Sequence, residues 1–422
     1  MQRERSAIEP GRPGRQSVNW EIESRPGRAG DEERMKLFEQ LASRRNWPEE
    51  ERIVLDQVRR VADEVIAPNA ARYDETGDYP RESVDALMAL GLNGIFVPAA
   101  YGGTPMSYAL YLECVKIVAA ACASTGVIYA TNFNGVKPLV DFGTEEQKQR
   151  LLPRITEGGI GAIAITEQTA GSDATGMQTR FTPDGDGIII NGSKTFISNG
   201  NVAELIFLFG KWSEIDDRKA AISALIVEKG TPGLTVLRTE KKMGHRAAPT
   251  VALSFEDCRV PRANLIGEPG SGLETLLVAL NKSRPSMAAH ALGIARAAFD
   301  DIVSYTNERK QSGRKVIDFQ GNQFLIAELA SELAMTELWL DYVGGLVDSG
   351  APDFGLEASI AKLRASDLAM RMATDAVQMH GGYGYCSDYR VERLMRDAKV
   401  TQIWEGTNQI HRQHIGRSFR IK

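Results

Sequence analysis

The acid best placed for proton chemistry in this sequence is Glu405, which follows Ile403-Trp404 and precedes Gly406-Thr407-Asn408-Gln409. Apolar and aromatic neighbours strip water from a carboxyl and raise its pKa toward the range of a general base. Gly406, with no Cβ, lets a second molecule approach the backbone. The same letters also fit an exposed helix end. A second pattern is Ile163-Ala164-Ile165-Thr166-Glu167-Gln168-Thr169-Ala170-Gly171-Ser172-Asp173, an apolar run that enters hydroxyls, glycine and an acid. A strand ending in such a loop presents N–H groups and hydroxyls to a polar ligand such as a phosphate, although a strand and a capped turn would read alike. Two Asn-Gly pairs bracket Asn191 to Gly200, which contains Phe196 and Ser198 and equally describes a strand between two hairpin turns. Gln378-Met379-His380-Gly381-Gly382 is either a ligand cradle or a helix C-cap.

Composition narrows the chemistry. The 422 residues are 43% hydrophobic and 25% charged, with 50 basic against 55 acidic side chains and a net charge of −5. Charge this balanced, spread along the chain, argues against nucleic acid and membrane-surface partners and favours small molecules or proteins. The weakly polar run Ile117 to Ala130 contains Ser124, Thr125 and Gly126 and is too short for a transmembrane helix. Cys114, Cys122, Cys258 and Cys386 are widely spaced, with no Cys-x-x-Cys and no adjacent histidine set, so neither a metal site nor a disulfide framework is expected. The first 33 residues are rich in Arg, Gly and Pro but contain Glu4, Glu9, Glu21 and Glu23 and no apolar core, which excludes a secretory signal peptide, and they belong to an extension over residues 1–45. They read as a disordered extension, and the location as cytoplasmic, with a mitochondrial presequence as the alternative.

The elements that must position these residues change character twice. Residues 46–160 read as a helical domain: Glu51 to Ala67 carries apolar residues at helical spacing and is expected to stop at Pro68, and a second helix runs from Arg81 to Gly91. Residues 161–271 hold short β-branched runs cut by Gly, Asp, Asn and Pro, expected to form a small antiparallel sheet. From 272 to 422 the helical period returns with few breakers. The order is helical, then β, then helical, an α+β chain of three domains.

Taken together and in this order, Thr166 to Asp173, Phe196 to Gly200, Gln378 to Gly382 and Arg396 to Gln409 closely resemble the acyl-CoA dehydrogenase family. The resemblance implies a helical domain, a central β domain and a C-terminal four-helix bundle, usually in a homotetramer that binds FAD. It implies that Ile163, Thr166, Ser172, Phe196 and Ser198 face the flavin, with Ser198 donating to its N5 nitrogen. Arg309, Gln320, Gln378, Gly381, Gly382, Thr407 and Gln409 would reach the pyrophosphate and adenosine, partly across a subunit interface. It implies α,β-desaturation of an acyl-CoA thioester: Glu405 takes the α-proton, hydride leaves to flavin, and the Glu405 backbone N–H donates to the thioester oxygen. Electrons would pass to an electron-transferring flavoprotein.

Ser172, Asn281, Arg284 and Gly406 would touch the substrate, although Asn281 and Arg284 also fit a capped helix start. Some members carry their base immediately before the matching arginine; here that residue is Ser283, which cannot serve, so the resemblance is to the short- and medium-chain type. Ser312 replaces a common Phe, Gln168 a common Pro, and Val118-Ala119 stand where many members have acids. Substrate preference therefore does not carry over. Two other readings fit the motifs: the same flavin fold with a cyclic substrate, an oxidase or an elimination reaction, and a non-catalytic acyl-CoA-binding module.

Overall fold

The computed structural model describes residues 45–421. The expected extension, apart from its last residue, lies outside the described residues. Helix α1 (Glu49–Val61) continues through a π-helical turn (Ala62–Ile66) into α2 (Ala67–Thr76). The stop expected at Pro68 therefore does not occur: Pro68 sits in the first turn of α2, where its missing N–H costs nothing, and the wider π-helical turn precedes it. Helix α3 (Arg81–Ala89) ends before Gly91, whose φ of 73° makes the reversal. Then come α4 (Tyr108–Ala121), α5 (Ala123–Phe142) and α6 (Glu145–Thr156), the last opened by a Thr144–Gln147 capping box.

The sheet has eight strands: β1 (Gly161–Ala164), β2 (Arg180–Asp184), β3 (Gly187–Ser198), β4 (Leu205–Trp212), β5 (Ile222–Glu228), β6 (Leu234–Thr239), β7 (Thr250–Pro261) and β8 (Leu265–Ile266). Its order is β6-β7-β3-β2-β4-β5-β8, with β1 on β4. Most pairs are antiparallel, as expected; β4 is also parallel to β1 and β2. Alternation explains why β4 reads as an unbroken apolar run. Ile206 and Leu208 face one core with Phe181, Ile188 and Leu225, while Leu205, Phe207 and Phe209 face another with Leu151, Leu152 and Ile155 of α6. The second core joins the sheet to the helical domain.

Helices α7 (Gly272–Glu308), α8 (Gln320–Asp348), α9 (Gly355–His380) and α10 (Val391–Thr401) make the C-terminal bundle, followed by α11 (Asn408–Ser418). Helix α7 packs against α9 in the bundle and against α4 and α5 of the first domain. Small buried residues such as Ala288, Ala291 and Ala295 allow that approach. Asn281 and Arg284 lie well inside α7, not at its start, because the helix runs through Pro285. Among the described residues no helix is long and apolar enough to cross a membrane, and no group of His, Cys, Asp and Glu is placed to hold a metal.

Candidate active site

Glu405 lies in the connection between α10 and α11 with φ of 51°, a left-handed conformation that non-glycine residues adopt only when their surroundings enforce it. Four helices, three of them distant in sequence, supply that enforcement. The Ser283 hydroxyl of α7 donates to its carboxylate at 2.7 Å and the Asn134 amide of α5 at 3.1 Å. Lys362 of α9 donates to the Gly406 carbonyl at 2.7 Å, and His411 Nε2 on α11 lies 3.2 Å from the Glu405 carbonyl oxygen. Burial pushes the Glu405 carboxyl above its ordinary pKa; the Ser283 hydrogen bond and the charges of Arg284 and Lys362 oppose the rise. The Glu405 N–H has no acceptor among the described residues. A proton-accepting carboxyl and an unengaged backbone donor thus belong to one residue.

Trp404 packs against His245 and His290, with ring centroids 5.1 and 5.5 Å away. The two imidazoles meet through their Nε2 atoms at 3.1 Å, and burial keeps both neutral, pushing His290 down to about 3. They form an uncharged wall behind the acid-bearing loop.

The β-domain rim is organised differently. A register shift between Lys194 and Ile197 breaks the β3–β7 ladder, and within it Phe196 takes φ of 59° and stands 62% exposed. Ser198 is half-buried beyond it, and the Asn199 amide donates to the Ile128 carbonyl at 3.1 Å and the Thr131 hydroxyl at 3.0 Å. Ile163 is half-buried in β1, and the half-buried Thr166 accepts from the Thr195 N–H at 2.9 Å through its carbonyl. Beneath them Lys194 donates to the Ile165 carbonyl at 2.9 Å and to Glu167 at 2.7 Å, and Glu167 also accepts from the Thr179 hydroxyl at 2.6 Å. Burial pushes Lys194 down to about 8, with the Glu167 carboxylate holding it up. This buried pair ties the 165–179 loop to the sheet. Ser172 is exposed on that loop.

A third cluster gathers at the end of α9. Arg309, Gln378, Gly381 and Gly382 line one cavity of ≈ 460 Å³ together with His380 and Tyr383. Gly381 has φ of 59°, and no atom stands where a Cβ on it or on Gly382 would reach. The Arg309 guanidinium lies 5.5 Å from the Tyr383 ring and has no carboxylate partner among the described residues. An open glycine cradle beside an unpaired guanidinium suits a phosphate-bearing ligand. Gln320, on the first turn of α8, and Gln409, on α11, are exposed outside this cavity. The Thr407 hydroxyl accepts from the Ile410 N–H at 3.3 Å and caps α11. Asn281 accepts from Arg284 at 2.8 Å and lines a separate cavity of ≈ 480 Å³ with Tyr108, Phe133 and Lys137.

Asn134, Lys362 and the His245–His290 pair escape a reading of the sequence, because each acts through a contact far along the chain, whereas His411 meets Glu405 from the next helix through a histidine that no motif marks. Lys362 alone leaves a trace. It shares a helical face with Ala358, Ala365, Ser366 and Ala369, all buried, where a lysine needs a partner.

Family models of acyl-CoA dehydrogenase match this chain in order: the N-terminal domain over residues 48–159, the middle domain over 162–258 and the C-terminal domain over 270–419. The cyclohex-1-ene-1-carbonyl-CoA dehydrogenase of Geobacter metallireducens is 41% identical across 88% of this chain and 98% of its own length. The butyryl-CoA dehydrogenase of Megasphaera elsdenii superposes with a TM-score of 0.86 at 36% identity, covering 88% of this chain and 98% of the other. A chain solved in a study of the electron-transferring flavoprotein of Acidaminococcus fermentans superposes with a TM-score of 0.87 at 38% identity, covering 90% of this chain and all of the other (100%). With all three domains matched in sequence order around an acid-bearing loop, the chain belongs to the acyl-CoA dehydrogenase family.

Proposed function

We propose that this enzyme desaturates an acyl-CoA thioester between its α and β carbons with FAD as cofactor. The observation that carries the reading is Glu405: a carboxyl raised in pKa by burial, placed beside its own unengaged N–H. The carboxylate removes the α-proton while the N–H donates to the thioester oxygen as negative charge gathers there. When bound, FAD supplies the acceptor for the β-hydrogen. The residues present suit it: the exposed Phe196 and the hydroxyls of Thr166 and Ser198 for the ring, and Arg309, Gln378, Gly381 and Gly382 for the phosphate-bearing arm. Ile163 and Ser172 flank the ring-side loop, and Gln320, Thr407 and Gln409 complete the cofactor site from a neighbouring subunit.

The substrate's CoA end passes Ser172, Asn281 and Arg284, and Gly406 lies against the thioester. Electrons go on to an electron-transferring flavoprotein, and the likeness to the chain from the Acidaminococcus study supports that acceptor. A homotetramer is supported by α8, which exposes Phe324, Met335, Leu338 and Tyr342. Activity in the cytoplasm and in fatty acid metabolism fits this assignment. A second reading, favoured by the Geobacter relative's name, keeps the same residues and takes a cyclic acyl group.

The test is anaerobic mixing of the flavin-loaded protein with acyl-CoAs differing in length, branching and ring content, followed by oxidised-flavin absorbance. Bleaching by a subset is expected and defines the substrate class. If the protein holds flavin and none of them bleaches it, acyl-CoA desaturation is refuted.

A further inference from the structure

Among the groups that hold the left-handed turn at Glu405 is one buried cation. Lys362 is 1% exposed, and its ammonium donates to the Gly406 carbonyl at 2.7 Å and to Asn408 Oδ1 at 3.0 Å. Asn408 in turn donates to Ser366 at 2.9 Å and to Asp367 at 2.8 Å, and Asp367 accepts from Gln402 at 2.8 Å. Both ends of the 402–408 connection are thereby fastened to one face of α9. The Gly406–Thr407 peptide cannot rotate without leaving its carbonyl unpaired and costing the ammonium one of its two partners.

We propose that Lys362 is a positioning residue for the base: it fixes the Gly406–Asn408 segment that follows Glu405, and its charge favours the ionised carboxylate. This rests on Glu405 being the base, as assigned above. The groups around the carboxylate come from four helices. Arg284 and Ser283 belong to α7, Asn134 to α5, Lys362 and Asp367 to α9, and His411 to α11 with His414 beyond it. Burial keeps His411 neutral, pushing it down to about 3. Arg284 and Lys362 are therefore the cations that act on Glu405. Burial pushes Lys362 itself down to about 7, with Glu405 and Asp367 holding it up and Arg284 lowering it. Its charge is present on the acid side of neutrality and fades above, so its influence on Glu405 is read on the acid limb of the rate profile.

Two variants separate the clamp from the charge. Lys362→Met removes both; Lys362→Gln retains a donor for the Gly406 carbonyl and removes the charge. Each is compared with the flavin-loaded wild type for saturating flavin-reduction rate, half-saturating acyl-CoA concentration and pH profile. The Glu405 carboxyl is titrated by infrared difference against Glu405→Gln. Lys362→Met should lose at least about tenfold in saturating rate, with little change in half-saturation, and both the acid limb and the infrared titration should move up by about one pH unit. Lys362→Gln should recover much of the rate at high pH while its acid limb stays displaced. Folded Lys362→Met with an unshifted limb and titration overturns the proposal; if that variant does not fold, the limb of Lys362→Gln decides in the same way. A wild type that no acyl-CoA bleaches would sink the desaturase reading instead, and the infrared titration would still judge Lys362.

Discussion

Glu405 and Phe196 both carry a side chain on left-handed backbone, and the two places hold it by opposite means. Phe196 is set by its own neighbourhood: a break in the β3–β7 register turns it out of the sheet, and the Glu167–Lys194 pair lies within one local network. Glu405 is set by side chains from α5, α7, α9 and α11, none within five residues of it. The rim is open, with an aromatic ring 62% exposed, whereas the half-buried acid is held by polar partners from two helices. On the proposed function the rim must stay accessible to a large flat ligand. The base of the proposed reaction must keep one proton affinity and one direction, which fixed hydrogen-bond partners supply.

Four substitutions sharpen or break this contrast. Glu405→Gln should leave flavin binding intact, since no rim residue changes, and reduce the anaerobic bleaching rate by roughly 10²–10⁴-fold, because an amide cannot accept the α-proton. Near-wild-type bleaching by this variant would remove Glu405 from its role.

Lys194→Met should strike the other region, leaving the buried Glu167 carboxylate without its cation. Although burial by itself raises Glu167, Lys194 and the Thr179 groups keep its pKa below the ordinary value. Breaking such a pair costs about 3–5 kcal/mol, so a lower melting temperature and lost flavin on gel filtration are expected. A variant that melts like wild type and stays yellow would show that the rim does not depend on this pair.

Ser283→Ala removes the hydrogen bond that favours the ionised base. The Glu405 carboxyl is already raised by burial, so its pKa should rise further. A protonated carboxyl cannot act as base; the bleaching rate falls as pH drops through that pKa, and in the variant the fall should begin at higher pH. An acid limb that stays in place would contradict the contact.

The smallest change is Ser198→Ala, which deletes one hydrogen bond at the open rim. A loss of about 1 kcal/mol, or several-fold in reduction rate, is expected from stopped-flow bleaching, with the pH profile unmoved. A loss as large as that of Glu405→Gln would erase the distinction between the two regions.

Much of this molecule is legible along the chain. Apolar spacing marks the helices on either side of the sheet, β-branched runs mark the strands, and the Trp404-Glu405-Gly406 and Gly381-Gly382 segments mark the places where a ligand could approach. The misreadings have physical causes. Pro68 was expected to end a helix because its missing N–H breaks the ladder of an α-helix interior; a π-helical turn ahead of it places that gap in the first turn of α2. Asn281 and Arg284 also fit a capped helix start, but they lie inside α7, whose packing against α4 and α9 carries the helix through Pro285.

The sequence by itself determined the order of the elements and the family and marked Glu405 as the candidate acid, because these depend on periodicity and on residues a few positions apart. Only the tertiary structure decided what surrounds that acid. Asn134, Ser283, Lys362 and His411 are brought to the 405–406 peptides by helix packing. A pKa and a left-handed backbone are properties of such an enclosure, and no short run of sequence encodes it.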